Sequence, residues 1–206
     1  VTYYSILTAA TLAGAILAVV TANPTDLRKP ILICLVLIAI GAFLDTGSGL
    51  LTRPANLYLS QSLLAFAAVY SMAPMMMEGM LRALSKGPSY LVSFVALFSL
   101  SQTLGGLIGV AALSAFHTLR TKVHLMTLSS SMSNGDPATA QAISGVANEL
   151  TKTMADPVQR NATAAGQLIQ EVGREAAILA FNDVFFVIGS LASLAFVILF
   201  IRWASD

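Results

Sequence analysis

Apolar positions along the chain gather into long uninterrupted runs rather than alternating with polar ones. Residues 5–22, 31–51, 57–81, 90–116 and 176–201 form five such runs. About twenty apolar residues in a helix are needed to cross roughly 30 Å of hydrocarbon, so each run predicts a transmembrane helix. The breaks between the first four are short and rich in turn formers. They are Asn23-Pro24-Thr25-Asp26-Leu27-Arg28-Lys29-Pro30, then Thr46-Gly47-Ser48-Gly49 with Thr52-Arg53-Pro54-Ala55-Asn56, and then Arg82-Ala83-Leu84-Ser85-Lys86-Gly87-Pro88-Ser89. Prolines and charges of this density end a helix at a water interface, and connections this short make consecutive spans antiparallel neighbours.

From 117 to 175 the pattern changes to a polar segment in which five Lys/Arg oppose five Asp/Glu. Asp136-Pro137 and Asp156-Pro157 each read as a capping residue followed by proline at the first helical position. Beyond the first, Ile143, Val146, Ala147, Leu150 and Met154 share one helical face; beyond the second, Val158, Ala162, Ala165, Ile169 and Val172 do so. This predicts an external loop with two amphipathic helices, the second running into the last span. The expected organisation is a four-helix transmembrane segment over 1–116, an external (periplasmic) loop over 117–175, and a final span with a short cytoplasmic tail over 176–206.

Composition narrows the class. The 206 residues are 56% hydrophobic and 10% charged, with a mean hydropathy of +0.79, whereas about a quarter of a soluble domain is charged. The expected fold class is therefore an all-α membrane protein. A net charge of +1 without a basic cluster gives no reason to expect nucleic acid. The single cysteine, Cys34, excludes an intramolecular disulfide and a cysteine metal site. Lys and Arg near the span ends set orientation. With the N-terminus outside, Arg28, Lys29, Arg82, Lys86 and Arg202 lie on the cytoplasmic side against Arg53 in the short outer loop, which predicts N-out, C-in. The chain starts at Val1 without an initiator Met or a signal-peptide pattern, and is read as the tail of a longer protein.

Ionisable groups inside spans are candidates for function by default. Asp45 is read either as a hydrated interfacial group or as a coupling residue. Glu78 stands one turn from Arg82, in the favourable order for an ion pair, with a titrating carboxylate as the alternative. Asp183 follows Asn182 near the outer end of the last span, where helix packing competes with proton coupling. Gln61 and Gln102 are the uncharged polar groups expected to face the bundle interior. Pro74 interrupts the third span and is expected to bend it, among Met72, Met75, Met76, Met77 and Met80, which offer a soft, adaptable surface. Gly105, Gly106 and Gly109 form a flat face in the fourth span, either a packing seam or a hinge. P-loop, G-x-S-x-G and H-E-x-x-H patterns are absent, and His117 and His124 stand apart from any carboxylate in sequence. No enzymatic activity, cofactor or metal is expected.

Several segments carry a resemblance. Thr25-Asp26-Leu27-Arg28-Lys29-Pro30, Met72-Ala73-Pro74-Met75, Leu100-Ser101-Gln102-Thr103-Leu104-Gly105-Gly106-Leu107-Ile108-Gly109 and Ala180-Phe181-Asn182-Asp183-Val184-Phe185 occur in an order that resembles the C-terminal portion of fourteen-span drug:proton antiporters of the major facilitator superfamily, the EmrB/QacA type. Ser99 and Gln102 stand where that family commonly has an Asn and an Arg, and Ala65 where a glycine is usual. The resemblance implies the last five spans of a major facilitator fold in a bacterial inner membrane, exporting small amphipathic molecules against protons by alternating access. Its partners would be the lipid bilayer, the missing N-terminal transporter half, substrate, protons and, at the external loop, a periplasmic membrane-fusion adaptor. The other expectation is a non-transporting membrane subunit or scaffold whose external loop binds a periplasmic partner.

Overall fold

A computed structural model describes residues 2–21, 28–131, 137–152 and 154–205. Among these residues the chain is all-helical, without a strand. Helices α1 (Thr2–Val20), α2 (Arg28–Asp45), α3 (Tyr58–Leu84), α4 (Ser89–Ser131), α5 (Pro137–Glu149) and α6 (Pro157–Ser205) follow in order, with a 3-10 turn at Pro54–Leu57 leading into α3. Among the described residues four helical stretches are long and apolar enough to cross a membrane: Thr2–Val20, Pro54–Leu84, Ser89–Ser130 and Pro157–Ser205. Helix α2 is shorter because it ends at Asp45, where the Thr46 hydroxyl turns back to the Phe43 carbonyl (2.7 Å) ahead of Gly47, rather than continuing to residue 51. The break at 22–27 and the expected cap at Asp136 lie outside the described residues.

Contacts divide the chain into two units. The first comprises Val1–Gly47, Leu51–Leu113 and Val184–Asp206; the second comprises Ser48–Leu50 and Ser114–Asp183.

In the first unit α3 is the central element, packed against both α1 and α2. Lipid provides no hydrophobic drive for such packing, so close backbone approach has to supply it. Small residues permit it here. A Cβ on Gly14 of α1 would stand 2.7 Å from the Phe66 carbonyl oxygen of α3, and one on Gly41 of α2 would stand 3.0 Å from the Ser60 carbonyl oxygen. Ala18, Cys34, Ala67 and Tyr70 form the buried core between them, with Leu37, Ile38 and Phe66 against it. The Tyr70 hydroxyl finds a partner in Thr21 (2.9 Å), which removes the cost of burying it. Phe43 of α2 meets Phe186 and the flat surface of Gly189 on α6. Large apolar side chains such as Ile16, Leu107, Ile108 and Val110 lie fully outward, an arrangement suited to hydrocarbon and not to water.

Helix α3 passes through Pro74 unbroken and ends at Leu84. Its tight turn to α4 uses Gly87 at φ +130°, a conformation that side-chain-bearing residues rarely adopt. Phe94 then packs on Gly79, holding the start of α4 against α3. Beyond that contact no residue of α4 in this stretch is buried. Gly105, Gly106 and Gly109 have open space where a Cβ would stand. Among the described residues this glycine face therefore has no packing partner.

The second unit corrects the sequence reading at two places. Residue 116 is not a helix end: α4 continues to Ser131, because Leu119, Arg120, Lys122, Leu125 and Met126 are good helix formers even though the apolar run has stopped. At 43 residues and about 1.5 Å per residue, α4 is about 65 Å long. In α6, Val158 and Ile169 are exposed, while Ala164, Ala176 and Ala180 are buried with Leu168 half-buried between them. The packed face is the alanine-rich one, since small side chains allow a neighbouring helix closest approach. The cap at Asp156 and the α5 face follow expectation: Asp156 accepts the Val158 backbone N–H (2.9 Å), and Ile143, Val146, Ala147 and Leu150 are the less exposed positions.

Two glycine substitutions separate these environments. Gly14→Val should lower stability in detergent by about 1–3 kcal/mol, because the Phe66 backbone must move. Gly105→Ala should leave it unchanged or raise it by up to about 1 kcal/mol, as alanine favours an exposed helix. Thermal unfolding followed by helical circular dichroism reads both, and equal losses would contradict the packing described.

Candidate functional site

Asp45 closes α2 and is 1% exposed. Its burial follows from antiparallel neighbours: the C-terminal end of α2 lies beside the N-terminal end of α3, where Ser60 and Gln61 occupy the first turn. Gly41, one turn earlier on the same face of α2, brings the two helices within reach of each other. The Ser60 hydroxyl donates to Asp45 Oδ1, and the Gln61 amide nitrogen donates to Oδ2 at 2.5 Å. Ser60 is itself buried. The interfacial, hydrated reading of Asp45 is therefore set aside, since the carboxylate sits inside the helix contact. An aspartate costs about 3 kcal/mol at the centre of a membrane helix on insertion scales, and less at the end of one, where Asp45 stands. Hydrogen bonds to a charged group return about 1.5–3 kcal/mol each, so the two neutral donors offset that cost without a cation. Of the expected interior amides, Gln61 thus points inward. Gln102 does not: it is exposed on α4, whose face there meets no neighbour.

The opposite end of the same helices holds Glu78, which pairs with Arg82 one turn on. Arg82 is 74% exposed, so the pair contributes little to stability. Glu78 and Arg82 line a cavity of about 430 Å³ together with Arg28, Arg202 and Trp203. Along α3, Met76, Met77 and Met80 line a second cavity of about 390 Å³ with Ala73 and Leu91, so part of the methionine-rich stretch faces an apolar recess beside buried Pro74.

Asp183 belongs to the second unit. One of its oxygens, Oδ2, accepts both the Arg120 Nε–H (2.6 Å) and the His124 Nε2–H (2.7 Å), joining α6 to α4. One turn along, His117 donates to the Ala177 carbonyl (3.2 Å) and its ring lies against Phe181, tilted by 41° with centroids 4.0 Å apart. Asn182 donates to the Ser48 carbonyl (2.8 Å), while its own Oδ1 is buried without a partner among the described residues. The arrangement is a polar clasp between two helices. The histidines have separate partners, and among the described residues no three His, Cys, Asp or Glu gather as a metal site.

Ser60, Arg120 and His124 were not among the candidates drawn from sequence. The signal for the last two is their spacing: His117, Arg120 and His124 recur at three and four residues, which places them on one helical face. Ser60 was legible only from the pairing of the ends of α2 and α3.

Compared with protein-family models, curated proteins and solved structures, the chain matches none.

The clasp makes a measurable claim. Asp183→Asn removes the charge that Arg120 and His124 share; with side chains about a third exposed, the loss should be about 1 kcal/mol. Amide hydrogen exchange should accelerate about fivefold in residues 114–131 and 157–183 and stay unchanged in α1 and α3. Uniform acceleration over the whole chain would show that Asp183 does not act locally.

Proposed function

We propose that the chain is a membrane-embedded part of a proton-coupled exporter of small amphipathic molecules, and that Asp45 is its proton-carrying group. In this reading α2, although short, is a fifth span, the end bearing Arg28, Arg82 and Arg202 is cytoplasmic, and the N-terminus of the segment and the stretch 117–175 are external. Helices α4 and α6 are each longer than hydrocarbon requires, which leaves part of each to water. The transport cycle would be alternating access of this bundle against a further transporter half, as the resemblance to the major facilitator superfamily implies. No enzymatic step is assigned.

The observation that carries the reading is Asp45, buried between α2 and α3 and held by donors that are both neutral. A lysine or arginine would fix the carboxylate in its charged form. A serine hydroxyl and a glutamine amide can each accept as well as donate. When Asp45 takes up a proton, its new O–H can be received by a rotated Ser60 hydroxyl or by the Gln61 carbonyl. Both protonation states can therefore be satisfied at one helix contact, which is what a coupling group needs. The methionine-lined recess beside Pro74 is the apolar surface best suited to a pliable substrate site.

The scaffold reading has one observation in its favour. Leu119, Val123 and Met126 of α4 are all outward-facing at helical spacing in the second unit, an apolar stripe that a periplasmic partner or adaptor would cover.

Proton-driven dye export from vesicles containing the complete transporter distinguishes the readings. Asp45→Asn should abolish coupling, with export falling at least tenfold while the protein remains inserted. Gln61→Ala should weaken it less, and Glu78→Gln should leave it within about twofold, since Glu78 has its own partner in Arg82. Unchanged export in Asp45→Asn would remove Asp45 as the coupling residue.

A further inference from the structure

Five methionines stand close together on α3, at 72, 75, 76, 77 and 80. Three of them, Met76, Met77 and Met80, line one recess of about 390 Å³, with Ala73 of the same helix and Leu91 of α4 among its other walls. At about 100° per residue, Met80 falls in azimuth between Met76 and Met77, one turn further on. The three side chains therefore form a triangle on one face of α3, where neighbours at three and four residues have Cβ atoms about 5–6 Å apart. Ala73 holds the corresponding place one turn before them. Its methyl group leaves open the space that a fourth long side chain would fill. Among the described residues the recess is lined by alanine, methionine and leucine alone, so its side-chain lone pairs are those of three sulfur atoms. Glu78 and Arg82, on the same stretch of α3, pair with each other, and neither lines it.

We infer that Met76, Met77 and Met80 form a binding site for a soft monovalent metal ion, Cu(I) or its congener Ag(I). An apolar guest would be served as well by leucine; what methionine adds at three converging positions is a donor atom. Thioether sulfur is soft and uncharged and selects Cu(I), whereas Mg(II) and Ca(II) require oxygen ligands and Zn(II) requires thiolate, imidazole or carboxylate. The recess offers none of these. Methionine is unbranched with three rotatable bonds, so the sulfur atoms can converge on one ion from Cβ positions this far apart. The cost of taking a charge out of water is limited, because Met76 and Met80 are 40% and 37% exposed and leave one side of the ion open. The recess reaches Leu84, the last residue of α3, and Leu91, just past the turn into α4. An ion can therefore enter from the polar end of the hairpin. It is bound as it arrives, with no change of oxidation state, and a thioether has no proton to release. The inference needs neither export nor coupling at Asp45 and is tested by binding alone.

The chain holds eight methionines, so isotope labelling of their methyl groups gives one resonance for each. Silver nitrate titrated into the full chain in detergent micelles, in chloride-free buffer, should shift the signals of Met76, Met77 and Met80 together, saturating at one ion per chain. The other five should stay in place. Each signal is assigned by a Met→Leu substitution, which keeps volume and apolarity nearly constant. Met76→Leu, Met77→Leu and Met80→Leu should each weaken binding, read on the two remaining signals, at least about tenfold, the lower bound set by loss of even an indirect metal partner. Met72→Leu and Met75→Leu, outside the recess, should leave affinity unchanged. Affinity should also hold constant between about pH 5 and 7, because no ligand has to lose a proton, and zinc or magnesium nitrate should shift nothing. Cu(I) added without oxygen should displace Ag(I) at the same three signals. Methionine signals that stay unmoved in the unaltered chain overturn the proposal without reliance on any variant, including the case in which silver binds elsewhere, as at the Cys34 thiol. A shift spread evenly over all eight, or an equal loss of affinity in Met72→Leu, overturns it as well. Neither result bears on proton-driven export, which Asp45→Asn reads separately.

Discussion

The approach of α2 to α3 at Gly41 is the constraint on which most of the first unit depends. A Cβ at that position would stand 3.0 Å from both the Ser60 carbonyl oxygen and the Leu64 side chain. Any larger residue would push the helices apart by tenths of an ångström, and Asp45, one turn further, would lose the short reach to Ser60 and Gln61. The same logic holds between α1 and α3 at Gly14. Where lipid replaces water, interhelical distance is set by side-chain size instead of by the area hidden from solvent. Polar chemistry inside the bundle is then available only where small residues have already brought two backbones together, and Asp45 occupies such a place.

Element type and order were readable from the chain because hydrocarbon imposes a length and an apolarity that few alternatives meet. The ends of α1, α3 and the start of α4 were readable to within a few residues. Charged residues misled at the far end of α4: the loss of apolarity after Phe116 marks a change of surroundings, and helix formers such as Leu119 and Leu125 carry the helix on regardless. The packed face of α6 was misplaced for a related reason. Hydrophobic periodicity pointed at Val158 and Ile169, but close packing selected Ala164, Ala176 and Ala180, which a scale of apolarity ranks below them.

The candidate site was only half legible. Asp45 and Gln61 were visible as isolated polar residues in apolar runs. That they touch depends on the antiparallel pairing of α2 and α3 and on the early end of α2 at Asp45, neither of which has a one-residue signature. Asp183 was visible too, but its partners Arg120 and His124 lie about sixty positions earlier and become its neighbours only because α4 remains helical through them. Gln102 shows the converse. A polar residue in an apolar run is not thereby interior, since a helix with few neighbours in the described chain offers it no interior to face.

The turn between α3 and α4 has a bearing on how such a chain is made. Four residues, from Ser85 to Pro88, separate the helices, and the left-handed backbone at Gly87 sets their reversal. A link that short cannot reach across a bilayer, so neither helix can be left on one side while the other is threaded through. The two have to leave the translocation machinery as a hairpin. In that pairing the uncharged stretch of α4 carries α3 with it, proline, glutamate and arginine included, so the less apolar of the two helices is delivered by the more apolar one.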